Sequence, residues 1–126
     1  MLMSPITHIA FLGFGEAATA FVKGWGEDCP YKISAFDIKT DSSATRVEKL
    51  EDYKDYGIDG RERLEDALEG AQVIFSLVTA DQAGNGAQAA AKYIAQGQYY
   101  FDCNSCSPET KRANAKIIES AGGIYI

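Results

Sequence analysis

The residues best placed to do chemistry lie near the start of the chain, where Gly13-Phe14-Gly15-Glu16-Ala17-Ala18 has the spacing G-x-G-x-x-A. Each position has a physical task when such a loop holds a dinucleotide. Gly13 permits a tight turn, Gly15 lets the backbone approach a pyrophosphate, and Ala18 keeps the following helix close to the preceding strand. The start of that helix presents unpaired N–H donors and a partial positive charge, so phosphate can be held without any Lys or Arg. The same spacing also describes a glycine-rich strand-to-helix turn with no ligand. Context favours the dinucleotide reading, since an apolar run precedes the loop and a helical pattern follows it. Asp37 stands twenty-two residues beyond Gly15. A carboxylate at the end of a second strand can accept hydrogen bonds from the adenosine ribose hydroxyls. It would repel a 2′-phosphate, which favours NAD over NADP. The plainer role for Asp37 is a cap or loop residue, and Lys39 and Arg46 are near enough to blur the preference.

Two later segments also qualify. Val78-Thr79-Ala80-Asp81 and Cys103-Asn104-Ser105-Cys106-Ser107 each follow an apolar run. In an open parallel sheet, ligands sit beyond the carboxyl ends of the strands. Short polar side chains at both places suit a nicotinamide ribose and amide. Thr79 and Ser107 serve equally well as helix caps, and Asp102 can orient its own loop. Cys103 and Cys106 form a C-x-x-C between a strand and a helix, a spacing open to redox chemistry. With the lone His8 far away on the first strand, it makes a poor zinc site. We read the pair as incidental small residues and expect no metal. His8 reads as a strand residue without a catalytic role, and Phe21, Val22 and Trp25 as core.

The elements that must position these residues follow from periodicity. Ile6 to Leu12 is a short apolar run rich in strand formers. Phe14, Ala17, Ala18, Phe21, Val22 and Trp25 recur at helical spacing, and Gly24 and Gly26 stop that helix. Tyr31 to Phe36 reads as a second strand. A polar helix runs from caps at Thr40, Asp41 or Ser42 to about Tyr56, and Ile58 falls in a short third strand. Glu62 to Leu68 suggests a short helix, Val73 to Val78 a buried strand, and Asp81 to Gln96 an Ala-rich helix ended by Gly97. Tyr99 to Asp102 is a strand. Ser107-Pro108 caps a helix to about Ser120, with Pro in its first turn, and Ile124 to Ile126 begins another strand. Repeated strand–helix alternation implies an α/β fold, a parallel sheet with helices on both faces.

A chain of 126 residues and 13.6 kDa fits one domain of ordinary size. It is 46% hydrophobic and 24% charged, which argues against global disorder. The net charge of −6 argues against nucleic acid or an anionic membrane as partner. No run approaches the length of a membrane span. The segment MLMSPITHIAFLGFG lacks a basic start and a long apolar core, so no secretory signal is expected. Three cysteines are too few for a disulfide framework, so a reduced, cytoplasmic setting is the expectation.

Three segments resemble the N-terminal half of the β-hydroxyacid dehydrogenase family. That family includes the 3-hydroxyisobutyrate dehydrogenases and the NAD-binding domain of 6-phosphogluconate dehydrogenase. The segments are IAFLGFGEAATAFVKGW, VIFSLVTAD and FDCNSCSPETKRANAKIIESAGGIYI. The last is the most specific, similar to a D-x-S-T-x-x-P segment followed by a helix, A-G and a strand. The resemblance implies a Rossmann-like, doubly wound sheet of strand order 3-2-1-4-5-6. It implies a pyrophosphate near Phe14, Gly15 and Glu16, with Gly13 and Ala17 completing that side. It sets Val78 and Thr79, in place of Leu-Pro, and Ser105, in place of Thr, near the nicotinamide of NAD or NADP. Asn104 stands for the usual Ser, and Asp37 where NADP-preferring members tend to carry Asn-Arg.

The resemblance further implies that residues 1–126 are the NAD(P)-binding domain, cut off at its C-terminal end, with the helical catalytic and dimerisation domain absent. A Ser-Gly-Gly-like substrate loop would follow the strand begun at Ile124, and a catalytic Lys and its Asn would come later. None has a position here, and Lys92, Lys111 and Lys116 match no such motif. The whole protein would then pass hydride between a 3-hydroxyacid and nicotinamide, as a homodimer or larger, while these residues alone would not turn over. A non-catalytic NAD-sensing module is the alternative. A methyltransferase is a third reading, though such loops usually carry an acid before the first glycine, where Leu12 stands here.

Overall fold

A computed structural model of the protein describes residues 5–126. Residues 1–4, where the stretch read for a secretory signal begins, lie outside the described residues. The elements are β1 (His8–Leu12), α1 (Glu16–Trp25), β2 (Lys32–Phe36), α2 (Ser43–Asp55), β3 (Asp59–Gly60), α3 (Leu64–Leu68), β4 (Val73–Ser76), α4 (Ala83–Ala91), β5 (Tyr99–Asp102), α5 (Pro108–Ser120) and β6 (Ile124–Tyr125). Short 3-10 turns at Ile38–Asp41 and Ala80–Gln82 lead into α2 and α4. Among the described residues, six strands pair in parallel, in the order β3-β2-β1-β4-β5-β6. This is the expected Rossmann-like order 3-2-1-4-5-6. Between β1 and β4 the order reverses direction, which opens a crevice at their carboxyl ends.

Every residue of β1 is buried, as a central strand covered on both faces requires. Its side chains divide by the period of two. Ala10 and Leu12 join Leu64 and Leu68 of α3, Ala87 and Ala90 of α4, and Ile118 of α5. Phe11 joins Phe14, Ala18 of α1, Ile33 and Ala35 of β2, and Tyr53 of α2 on the opposite face. Ala18 is fully buried, the close helix–strand packing expected of the third motif position.

Four local expectations shift. The first helix runs through Gly24 and stops at Gly26, whose backbone φ is +76° and whose N–H caps the Val22 and Lys23 carbonyls. The third strand pairs through Asp59 and Gly60 rather than Ile58. The Ala-rich helix ends at Ala91, not Gln96. Ile94 turns into the core there, and the buried Gln98 amide ties the Ala95 N–H to the Leu68 and Ala71 carbonyls. Burying Ile94 outweighs the helix propensity of the alanines. Last, Phe21 is 39% exposed, whereas Val22 and Trp25 are partly buried and pack against the Phe11 cluster, so only part of this stripe of α1 is interior. Its rings stack with Phe11 and Phe75 at the margin of the α1–α2 layer.

His8 lies at the amino end of β1, far from the crevice. Its Nε2–H donates to Ser34 Oγ (2.8 Å), because the Ser34 hydroxyl itself donates to the Ala67 carbonyl (2.6 Å). Burial, and then the nearby Lys32 cation, hold the imidazole pKa below its ordinary 6.5. A base whose folded pKa is lowered takes up more protons when unfolded. Stability is therefore full above pH 6.5 and falls as the pH drops below it. Melting curves between pH 7.5 and 5.5 should show this decline, and His8→Gln should flatten it.

Candidate dinucleotide site

The glycine loop joins β1 to α1 at the crevice. Gly13 has φ +93° and donates its N–H to the Phe36 carbonyl (2.7 Å). Gly15 is the N-cap of α1 and has no side chain to satisfy the first-turn N–H groups. A Cβ added at Gly15 would meet nothing within 4 Å. The helix N-terminus thus opens onto free space.

Phe14 is held from beneath. Its ring is fully buried and packs on Phe11, Tyr53 and Tyr56. Its N–H donates to Asp37 Oδ2 (2.8 Å), and its carbonyl accepts from Lys49 Nζ (2.6 Å). Lys49 is buried, 3.9 Å from Asp37 Oδ2 and 3.2 Å from Asp52 Oδ2. Charge-assisted hydrogen bonds of this kind contribute about 1.5–3 kcal/mol each. A carboxylate and an ammonium therefore clamp both sides of one residue in the loop. Asp37 Oδ1 also accepts from the Lys39 N–H (2.9 Å), capping the Ile38–Asp41 turn. The cap role and a position at the crevice coexist in Asp37.

A second polar network ties the ends of β4 and β5. Asn104 Oδ1 accepts from the Val78 N–H (2.7 Å), and its Nδ2 donates to Ser76 Oγ (3.0 Å) and Asp102 Oδ1 (2.8 Å). Asp102 Oδ2 accepts from Tyr125 Oη–H (2.7 Å) and Asn114 Nδ2 (3.0 Å). Burial pushes the Asp102 carboxyl up, but the hydrogen bonds from Asn114, Tyr125 and Asn104 outweigh it and leave the pKa below the usual range. Asp102 is therefore an anion at neutral pH. Burial, then Asp102, push the Cys103 thiol up, which disfavours a reactive thiolate. Cys103 and Cys106 are free thiols, and no cluster of metal-ligating side chains exists among the described residues. Ser107 caps α5, its Oγ accepting from the Thr110 N–H (3.2 Å).

These elements enclose a cleft of about 310 Å³, within the size range of small-molecule sites. Gly13, Gly15, Asp37, Val78 and Thr79 line it. Ile38, Lys39, Leu64, Gln82, Asn85 and Gly86 line it too; apart from Lys39, no sequence motif points to them. Glu16 and Ala17 are exposed at the first turn of α1, outside the lining, and Ser105 is exposed on the loop after β5. Phe14, fully buried, is not among the residues that line the cleft. Lys49 and Asn104 carry no motif signal for their roles. Their partners are 35 and 26 residues away.

Residues 8–126 match the model of the family described as the NAD binding domain of 6-phosphogluconate dehydrogenase. Among solved structures, a conserved hypothetical protein from Sinorhizobium meliloti 1021 shares 28% identity over 97% of this chain, with a TM-score of 0.89. A Mycobacterium tuberculosis 3-hydroxyisobutyrate dehydrogenase, solved with L-serine, shares 19% identity over 96% of this chain at a TM-score of 0.74. A Myxococcus stipitatus imine reductase in complex with NADP+ shares 16% over 94% at 0.70. The chain spans 40%, 39% and 39% of the three structures' lengths. No curated protein matches the chain.

Proposed function

As this chain belongs to the family of the 6-phosphogluconate dehydrogenase NAD-binding domain, we propose that its cleft holds NAD, in preference to NADP, for an oxidoreductase acting on a 3-hydroxyacid-type substrate. One observation carries the reading. An uncapped helix N-terminus, bare of side chain at Gly15, faces the crevice where the strand order reverses. That is the arrangement a pyrophosphate requires. The first-turn N–H groups would hold the phosphates, which suits a chain of net charge −6. Asp37, Ile38 and Lys39 would flank the adenosine, and Val78 and Thr79 the nicotinamide. When bound, the nicotinamide supplies the hydride acceptor or donor. The chain's own residues bind and orient it.

Calorimetric titration with NADH, ADP and S-adenosylmethionine tests this. Saturable binding of NADH and ADP is expected, with no heat from S-adenosylmethionine. The reverse pattern would overturn the reading. No steady NADH production from a hydroxyacid is expected of the 126-residue chain. Asp37 carries the preference for NAD. Asp37→Asn keeps one acceptor oxygen for the loop and removes the charge facing a 2′-phosphate. The NAD/NADP affinity ratio should fall about tenfold, roughly 1.4 kcal/mol. An unchanged ratio would remove Asp37 from that role.

A further inference from the structure

The geometry points to Asn104 as a positioning residue for the nicotinamide end of the cleft, acting through the Val78 backbone; this rests on the dinucleotide reading above. The sheet ladder ends at the pair Ser76 and Asp102. Beyond it the two loops diverge, joined by one backbone bond from the Cys103 N–H to the Ser76 carbonyl (3.1 Å). The Asn104 side chain, 4% exposed, takes over where the ladder stops. Its orientation follows from its partners, since the Val78 N–H requires an acceptor and Asp102 is an anion. Its oxygen and both amide hydrogens are then engaged, so the amide has no second arrangement of equal energy.

The anchor of this chain is Asp102, and behind Asp102 stands Tyr125 of β6. Lys111 Nζ adds a bond to the Asp102 main-chain carbonyl (3.0 Å). Val78 is therefore tied, through Asn104 and Asp102, to the edge strand of the sheet. The Asp37–Lys49 clamp on the glycine loop shares no residue with this chain. Two separate polar networks set the two ends of the cleft. Loosening the Asn104 network should move Val78 and Thr79 and leave the glycine loop in place.

That separation makes the inference measurable with two ligands. NADH spans the cleft, whereas ADP contains only the adenosine and pyrophosphate part. In Asn104→Ala, NADH affinity should fall at least tenfold while ADP affinity stays within twofold. The enhanced fluorescence of bound NADH, which reports on the nicotinamide surroundings, should fall with it. Tyr125→Phe removes only the hydroxyl at the far end of the chain. It should lower NADH affinity about threefold, leave ADP alone, and keep the fold if Asn104→Ala does not. Equal losses on both ligands, or none on either, overturn the inference while the dinucleotide reading stands. Failure of the unmodified protein to bind NADH or ADP overturns both.

Discussion

Replacing Gly15 by valine is expected to abolish dinucleotide binding and to leave the melting temperature within about 5 °C of the original. The two halves of this result have different causes. Gly15 has φ −103° and ψ −151°, on the extended side of the map and outside the positive-φ region that favours glycine. A Cβ there meets nothing within 4 Å. Losing glycine at an N-cap for a β-branched residue costs about 0.5–1 kcal/mol, a few degrees for a domain of this size. The ligand fares differently. The space that a valine side chain would fill is the approach to the α1 N–H groups. Keeping the phosphates even one atom's width from those donors forfeits the charge-assisted bonds. A loss of at least a hundredfold, about 2.7 kcal/mol, should follow. Calorimetric titration with NADH and ADP beside a melting curve reads both quantities. Unaltered ADP binding would show that the phosphates lie elsewhere.

At Gly13, two residues earlier, the expected effect is opposite in kind. Gly13→Ala should destabilise the protein by about 3 kcal/mol or more, whether or not a ligand is present. The φ of +93° is a region that L side chains rarely adopt, at a cost of order 1–3 kcal/mol. The added methyl would also collide with the Leu77 carbonyl and come within 3.0 Å of Val78 Cγ1. The carbonyl belongs to the backbone at the end of β4 and has little room to yield. Nor can the loop swing away easily, since the Gly13 N–H is bonded to the Phe36 carbonyl. Against a typical total stability of 5–15 kcal/mol, a fall in melting temperature of more than about 10 °C is expected. A fall of under 3 °C would show that the turn has another conformation open to it. The two glycines of one motif are thus expected to separate, Gly13 through stability and Gly15 through dinucleotide affinity.

Features that depend on residues within a turn or a strand length are legible in the sequence alone. The glycine turn, the Ser107-Pro108 start of α5 and the continuous apolar runs of β1 and β4 are of this kind. Their order along the chain, together with the handedness of parallel crossovers, leads to the sheet. The family resemblance supplies its strand order. The stop at Ala91 is not legible, because it is made by Ile94 entering a core built from other elements and by the Gln98 amide reaching 27 and 30 residues back. Phe21 misleads for the mirror reason. Helical spacing shows which residues share a face of α1, but not whether anything lies above that face.

The site divides in the same way. The spacing of Gly13, Gly15, Ala18 and Asp37 is sufficient to locate the glycine loop at the crevice and the carboxylate beside it. It says nothing of the Lys49 ammonium that closes the clamp on Phe14 from α2. Nor does it show that Asn104 joins Val78 to Asp102 and Tyr125. Local spacing suffices where one backbone turn decides the geometry. Pairings across 23, 26 and 35 residues arise only when parallel strands bring their carboxyl ends to one edge. Burial then makes an unpaired polar group costly enough to select its partner.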